Sequence, residues 1–446
     1  MLKNKALKTI AENILKKTKN YFDQTEVILG TDESSTIRFA NNLIYQPISV
    51  YDVWLKIRLI KDKKIAVVNS NSFADKNIDE LLAVGKNLCQ LQKKDNNFIS
   101  LPKPEKTKII PKNSFDLETF KTSNKKLVKM VFPSIKLALK NKLISSGKLV
   151  RSTDELGIAN SQGVWQYQPS SNVFFSTVVR DEKTKASGYG ECMEQKISNL
   201  KIKKTVKLAI QTALKSKEPK KIKAQNLEVI FMPTALQEVL PYFAWLGPNA
   251  RIYHEEVSFL KGKIGKKVFS NKLTITDEPL NPVSPAFFDF EGFPKKNLSL
   301  VKNGVPTNIC YDSYYAQKYK KQNTGHGLPA PNTEGPISTH LVIKPGHSNL
   351  QQMIAKVKKG LLINRLWYIR VIHYKSLLLT GMTRDGTFYI ENGKIKYPIQ
   401  NLRFTDSIPS IFKNISEVGK DAVWQKLMWG VAKIPPIRIT NFKFTS

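Results

Sequence analysis

The sequence predicts an α+β protein, in which an N-terminal α/β-layered region precedes a C-terminal domain with a large, curved, mostly antiparallel sheet. Segments with apolar residues at helical spacing alternate with segments in which apolar and polar residues take turns, as in strands. Asn-Gly, a dipeptide that favours tight hairpin turns, occurs twice in the second half. At 446 residues the chain exceeds what one core usually supports, so two or three domains are expected.

The first region, residues 1–114, is expected to begin with a helix whose apolar face carries Leu7, Ala11 and Ile14, with lysines on the opposite face. Period-2 alternation then predicts strands, and a second helix is expected over residues 75–91. The predicted strands cover residues 26–30, 36–44, 49–60 and 64–69.

The second region, residues 115–220, forms either a separate α+β domain or one domain together with the first. It is expected to open with a helical stretch that Pro133 interrupts, because proline lacks the N–H that a helix interior needs. Strands are predicted at residues 148–151, 156–160 and 164–179, with a turn at residues 153–155, and a helix at 200–214. A basic linker over residues 215–223 places the main domain boundary near Lys220.

The third region, residues 221–446, is rich in predicted strands. A strand at residues 227–231 runs into Pro233, which suits the first turn of a helix extending to Phe243. Asn392-Gly393 predicts a two-residue type I′ turn between two strands. The resulting sheet is expected to bury a core or to offer an edge to an extended peptide. The other strands are predicted at residues 273–276, 298–302, 339–344, 365–374, 387–391, 394–399 and 437–444.

Charge is the unusual feature of the composition. There are 71 Lys and Arg against 36 Asp and Glu, a net charge of +35, which would attract nucleic acid or acidic partners. The lysines are spread through every segment, however, and no zinc finger or RNP-like aromatic motif accompanies them, which favours an ordinary solvated surface. Three widely separated cysteines and no apolar run of about 20 residues indicate a cytoplasmic protein without a membrane span.

A resemblance to a known family rests on several short segments. The run from Thr380 to Ile395 resembles the closing signature of the TldD/PmbA family of cytosolic two-subunit zinc peptidases. Earlier segments resemble other landmarks of that family, in the family's order, from about Glu26 to the C-terminus. These segments are residues 38–45, 160–164, 289–294, 303–305, 313–316 and 323–327.

The resemblance implies a zinc site in the TldD subunits, built on a helix with His-Glu-x-x-x-His and a cysteine near the C-terminus. This chain has only five histidines, and His254-Glu255 is followed by Phe259 where the second histidine would be required. The family's zinc helix would fall at residues 241–249, which contain neither His nor Cys, and no cysteine lies beyond Cys310. His254 and Glu255 are therefore rejected as metal ligands, and no cofactor is expected in this chain.

Other catalytic arrangements are weaker. His326, His340 and His347 lie in one stretch and offer a displaced metal site as an alternative. Asp289 and Glu291 share one strand face and could act as acid and base, although shaping a turn is the preferred interpretation. Residues 381–387 have the glycine spacing of a phosphate loop but lack its lysine, which argues against a nucleotide site. No catalytic residue is assigned.

The chain is therefore closest to the TldE/PmbA-type subunit, which lacks the zinc motif and pairs with a zinc-bearing TldD-like subunit to degrade unfolded peptides. Arg384 and Asp385 are predicted to contact substrate or partner, with a local salt bridge as the alternative. The competing functions are a stand-alone basic protein that binds nucleic acid or acidic partners, and an independent metallopeptidase. Structural turns are predicted at Gly292, Asn303, Gly304, Gly381, Gly386, Asn392 and Gly393.

Overall fold

The structure, a computed structural model, describes residues 3–105 and 113–446. Its strands form three sheets, two of them in the C-terminal half, and helices pack against the sheets. The predicted α+β class is confirmed. No helix among the described residues is long and apolar enough to cross a membrane.

The N-terminal half contains one six-stranded antiparallel sheet, in the order β3-β2-β1-β4-β5-β6. Both predicted regions, 1–114 and 115–220, supply strands to this sheet. The domain boundary near Lys220 remains a prediction from the sequence. The elements are α1 (Lys3–Thr18), β1 (Gln24–Ala40), β2 (Leu43–Lys61), β3 (Lys64–Ser70), α2 (Asp75–Leu91), α3 (Leu117–Lys121), α4 (Asn124–Lys140), β4 (Ile144–Asn160), β5 (Trp165–Arg180), β6 (Ser187–Glu194), a 3-10 turn (Ile197–Asn199) and α5 (Ile202–Lys215).

Two pairs of helices cover one face of this sheet. Helix α1 packs on β1 near Val27 and Leu29, with α2 lying against β2 and β3, and helix α4 packs on β1 near Ile37 and Phe39, with α5 lying against β5 and β6. These four residues have the same parity, so they project from one face. Ile28 projects from the opposite face and packs against Phe288 of the C-terminal half, which joins the two halves.

The C-terminal half contains two sheets around a shared apolar core. Its elements are β7 (Asn226–Phe231), α6 (Pro233–Leu236), α7 (Leu240–Leu246), α8 (Ala250–His254), β8 (Ile275–Asp277), β9 (Leu298–Lys302), β10 (Val305–Pro306), α9 (Ser313–Lys318), β11 (His340–Ile343), α10 (Leu350–Ala355), β12 (Lys359–His373), β13 (Leu378–Glu391), β14 (Lys394–Pro398), β15 (Arg403–Ser407), α11 (Ile408–Lys413), β16 (Ile415–Val418), β17 (Val423–Lys426), β18 (Val431–Ile434) and β19 (Ile437–Lys443).

One of these sheets has the order β10-β9-β8-β11-β18-β17, and the other has the order β14-β13-β12-β7-β19-β16 with β15 paired to β13. All neighbours are antiparallel except β11 with β18 and β7 with β12. The large buried side chains between the sheets are mainly phenylalanines, Phe231, Phe243, Phe404, Phe412 and Phe442.

Several local predictions were wrong. The turn expected at residues 153–155 is absent, because β4 is a central strand whose pairing with β1 and β5 is continuous through Asp154. Helix α4 continues through Pro133, which lies on its exposed side, while buried Val131 and Ile135 anchor both halves of the helix. The helix expected from Pro233 to Phe243 is split into α6 and α7.

Candidate functional site

Arg384 and Asp385 lie where β12 and β13 face β6 of the N-terminal sheet. The sequence predicts them in a turn before the strand, but this prediction was wrong, because both belong to the continuous strand β13. The pairing of β12 with β13 shifts between Ile363 and Arg365, and Asp385 and Gly386 have φ values of 52° and 110°. This irregularity is a β-bulge, a feature that redirects side chains and is common near binding sites.

The carboxylate of Asp385 is buried and connects the two halves of the molecule. It accepts hydrogen bonds from Ser187 Oγ on β6 at 2.6 Å and from Arg365 Nη1 on β12 at 2.9 Å. Arg384 Nε is farther away, at 3.7 Å, and its side chain is 44% exposed. The close partner of Asp385 is therefore Arg365, which the sequence analysis missed, and Arg384 is left mostly available to other groups.

Aromatic rings hold both guanidinium groups in place. Arg365 stacks over the ring of Tyr189 at 3.8 Å and the ring of Trp367 at 4.7 Å, and Arg384 lies 4.8 Å from the same tryptophan ring. Trp367 remains 41% exposed. Cation–π contacts of this kind fix the orientation of an arginine without consuming all its N–H donors.

Two further carboxylates lie beside Arg365. Glu191 Oε2 accepts hydrogen bonds from the hydroxyl of Tyr189 and from Gln237 Nε2, the latter at 3.3 Å. Burial raises the pKa of Glu191 and of Glu238, and the positive charge of Arg365 opposes the rise in both cases. The site thus combines an arginine, a tyrosine and carboxylates in a poorly solvated space between the two halves.

Gln237 and Glu238 reveal a sequence signal that was overlooked. The segment Gln237-Glu238-x-x-x-Tyr242 has the spacing of His-Glu-x-x-x-His, with glutamine and tyrosine where that motif has histidines, and it begins ahead of residues 241–249, where the zinc helix is expected from the sequence. Gln237 donates to Glu191, and the Tyr242 hydroxyl donates to the carbonyl of Ile369 at 2.9 Å. The segment is not one helix, because it runs through the turn that follows α6 into the first residues of α7.

Gln237 and Tyr242 do not fit a zinc ion, which takes Cys, His, Asp or Glu ligands in a tetrahedral set. Across residues 3–105 and 113–446, no group of three or more such side chains is placed to hold a metal ion. We therefore assign no catalytic step to a metal in this chain.

A cavity of about 410 Å³ opens beside Arg384. Arg180, Lys185 and Arg384 line it together with Ser187 and Trp367. Since Asp385 is neutralised by Arg365, the cavity is positively charged. Its N–H donors and its exposed tryptophan suit the carbonyl groups, side chains and carboxylates of an extended peptide.

The rejected residues His254 and Glu255 have local partners. His254 Nε2 lies 2.9 Å from the hydroxyl of Tyr311, and its ring stacks on Tyr319 with 3.5 Å between centroids. Glu255 pairs with Arg251 at 3.0 Å, one helical turn away. Both contacts are structural.

Of the three histidines considered for a displaced metal site, only two lie close together. His326 Nε2 lies 3.3 Å from Asp277 Oδ2, and the backbone N–H of His340 donates to Asp277 Oδ1 at 2.9 Å. Burial lowers the pKa of both histidines, that of His340 to about 4. His347 is exposed, four residues beyond the end of β11, and does not join them.

Asp289 and Glu291 both accept hydrogen bonds that fix the chain. Asp289 accepts from the backbone N–H groups of Glu291, Phe293 and Gly327. Glu291 accepts from the N–H and hydroxyl of Ser313. Burial and the charge of Glu291 raise the pKa of Asp289 to about 7.

Of the remaining residues predicted in turns, all but Gly381 have the positive φ angle that tight turns use. Gly292 has a φ of 75°, and the pairs Asn303-Gly304 and Asn392-Gly393 have φ values of 49° and 82°, and 48° and 73°. Positive φ at both central residues is what a type I′ hairpin turn requires. Gly381 lies inside β13, close to the ring of Phe404, and not in a turn.

The chain is similar to proteins of one known family. The model of the PmbA/TldA metallopeptidase C-terminal domain matches residues 224–446, and that of PmbA/TldA metallopeptidase domain 1 matches residues 25–88. An uncharacterised protein of Methanocaldococcus jannaschii is 26% identical over 399 residues, which cover 87% of this chain and 88% of that protein. Metalloprotease PmbA of Escherichia coli is 25% identical over 228 residues, covering 50% of this chain and 48% of that enzyme.

Among solved structures, TldE from Thermococcus kodakarensis superposes with a TM-score of 0.89 and 22% identity, covering 98% of this chain and 100% of that one. A Thermotoga maritima protein described as a modulator of a DNA gyrase superposes with a TM-score of 0.87 and 17% identity, again covering 98% and 100%. These two likenesses concern the fold, whereas the family model spans half of the sequence. The chain belongs to the PmbA/TldD metallopeptidase family.

Proposed function

We propose that this chain is the non-catalytic, PmbA/TldE-type subunit of a cytosolic zinc peptidase that degrades or processes unfolded peptides. A TldD-like subunit would supply the zinc site and complete the enzyme. The observation that carries the proposal is the segment Gln237-Glu238-x-x-x-Tyr242, which matches the spacing of His-Glu-x-x-x-His but has glutamine and tyrosine, both hydrogen-bonded elsewhere, in place of the histidines.

In this proposal the cavity beside Arg384 holds part of the peptide. Arg384 and Trp367 would contact the peptide. The buried pair of Arg365 and Asp385 would fix the position of the strand that carries Arg384. Hydrolysis in the partner would follow the usual zinc chemistry, in which the metal polarises the scissile carbonyl and activates water. This chain would contribute to affinity and to peptide orientation.

The test is reconstitution from separate subunits. The chain, a TldD-like subunit of the same source and their mixture should be compared for zinc content and for hydrolysis of an unfolded peptide. The proposal expects hydrolysis from the mixture and negligible hydrolysis from this chain alone. Stoichiometric zinc in this chain, with strong hydrolysis that His254→Ala abolishes, would overturn it.

The two competing functions are less well supported. Nucleic-acid binding rests only on the net charge, and it would weaken steeply between low and physiological salt. A displaced metal site would need His347 next to His326 and His340, and these residues do not converge. Metal analysis of the purified chain separates the second alternative from the proposed role.

A further inference from the structure

A second cavity, of about 510 Å³, lies between the two halves of the molecule, away from Arg384. One wall comes from β2, β3 and α2, and the other from α9 and residues 328–332. Exposed Gln92 and Pro331 mark its mouth, whereas Glu291 and Asp312 are buried at its inner end. The volume is in the range typical of small-ligand sites.

Asp312 has an unused hydrogen-bond acceptor at this inner end. The residue is 4% exposed, and one carboxylate oxygen, Oδ1, caps α9 by accepting from the N–H of Tyr315 at 2.8 Å. The other oxygen, Oδ2, accepts no hydrogen bond from any residue that the structure describes. Oδ2 is not fully enclosed by protein, and Asp312 lines the cavity. A buried carboxylate without a donor is unusual, so a ligand that donates is favoured there.

Arg58 offers the complementary group. Its Nη2 donates to Glu26 at 2.6 Å, while its Nη1 has no acceptor among the described residues. Arg58 also lines the cavity. The inner end of the cavity thus combines a carboxylate oxygen without a donor and a guanidinium nitrogen without an acceptor.

Charge at the inner end favours an entering cation. Four carboxylates, those of Glu26, Asp289, Glu291 and Asp312, influence one another there. The opposing cations are Arg58, which Glu26 engages, and Lys295, whose Nζ donates to the carbonyl of Gly325. Burial and the charge of Glu291 raise the pKa of Asp312 to about 8, so an ammonium group that donates to Oδ2 takes the place of the proton that this carboxyl otherwise holds at neutral pH.

We propose that this cavity binds the amino terminus of a peptide. The α-ammonium group donates to Asp312 Oδ2, and the first carbonyl oxygen accepts from Arg58 Nη1. The first side chain lies against the apolar wall formed by Ile65, Val67, Phe98 and Leu328. A lysine side chain would satisfy Asp312 but would leave Arg58 without an acceptor, so the terminus fits better. The site does not depend on zinc or on the partner subunit, and therefore not on the proposed function.

The test is calorimetric titration of the purified chain with leucyl-alanyl-alanine amide. The control ligands are the same peptide with an acetylated amino terminus and an acetylated peptide with an internal lysine. We expect acetylation to weaken binding roughly 10- to 100-fold, as expected for the loss of a hydrogen bond to a charged group. Equal binding of either acetylated peptide, or no binding of any peptide, would overturn the proposal.

Asp312→Asn is the matched variant, because asparagine also caps helices and should keep α9 folded. We expect it to weaken binding of the free peptide roughly 10- to 100-fold without lowering the melting temperature appreciably. Asp421→Asn makes the same substitution at an exposed position outside the cavity lining and should change affinity about threefold or less. If Asp312→Asn binds the peptide as tightly as the unchanged protein, the assignment is wrong.

Discussion

At the scale of single residues, the two arginines near Asp385 have different roles. Arg365 forms a buried ion pair with Asp385, since the side chains are 10% and 1% exposed, whereas Arg384 is largely exposed. Removing one partner of a buried pair leaves an uncompensated charge, and removing an exposed charge costs little.

We therefore expect Arg365→Met to lower the free energy of unfolding by about 3–5 kcal/mol. The control, Arg384→Met, should lower it by about 1 kcal/mol or less. Urea denaturation of both variants measures the difference. Equal destabilisation would show that the ion pair with Arg365 does not hold the bulge.

Asp154 provides a pH-dependent prediction. It lies opposite Asp32 on the neighbouring strand, and Asp32 lies opposite Asp52 on the next strand. Burial and the charge of Asp32 raise the pKa of Asp154 to about 6. The folded state therefore binds a proton more tightly than the unfolded state, so this group's contribution to stability falls as pH rises from about 4 to 6.

Asp154→Asn removes the free-energy cost of ionising this buried carboxyl group. We expect it to raise the free energy of unfolding by about 1–3 kcal/mol at pH 8, and to have little effect near pH 4. Exposed Asp421→Asn serves as the control and should show no such pH dependence. Chemical denaturation across this pH range provides the measurement. A destabilised Asp154→Asn at pH 8 would contradict the pKa assignment.

At the scale of elements, the turn between β13 and β14 is the sharpest case. Gly393 has a φ of 73°, and a Cβ atom there would lie 2.7 Å from the carbonyl oxygen of Ala355. Gly393→Val should therefore cost about 1–3 kcal/mol, seen as a lower melting temperature. Lys394→Val, at the neighbouring exposed position, is the control and should change stability by less than about 0.5 kcal/mol. Similar melting temperatures for the two variants would argue against this account.

Elements set by local chemistry could be predicted from the sequence. The expected helix at residues 75–91 coincides with α2, and the strand at residues 298–302 coincides with β9. The turn expected at residues 153–155 failed because a central strand gains pairing on both edges, which outweighs the local preference of polar residues for turns.

The candidate site could be predicted only in part, because its contacts are not local. The sequence pointed to Arg384 and Asp385, but Ser187 and Arg365, which bind Asp385, lie 198 and 20 residues away along the chain. The spacing of apolar residues along the chain does not show which of such distant positions are in contact. The spacing of Gln237 and Glu238 is visible in the sequence, whereas the hydrogen bond from Gln237 to Glu191 is visible only in the structure.

At the scale of the whole molecule, the proposed role requires the cavity beside Arg384 to face a peptide in the assembled enzyme. Arg384→Ala should then raise the KM of the two-subunit enzyme for an extended peptide about 3- to 10-fold, with kcat nearly unchanged, because a binding contact is lost. Lys413→Ala, at the end of α11 and outside the cavity lining, is the control. An unchanged KM in Arg384→Ala would mean that this region is structural only.

The central claim is that this chain lacks its own metal centre and works with a zinc-bearing subunit. Affinity purification of the tagged chain from its native source, followed by mass spectrometry and zinc analysis, tests it most directly. The account predicts that a subunit of similar length with His-Glu-x-x-x-His co-purifies, and that the zinc content follows the amount of that subunit. Peptidase activity and stoichiometric zinc in a preparation that contains only this chain would contradict the account.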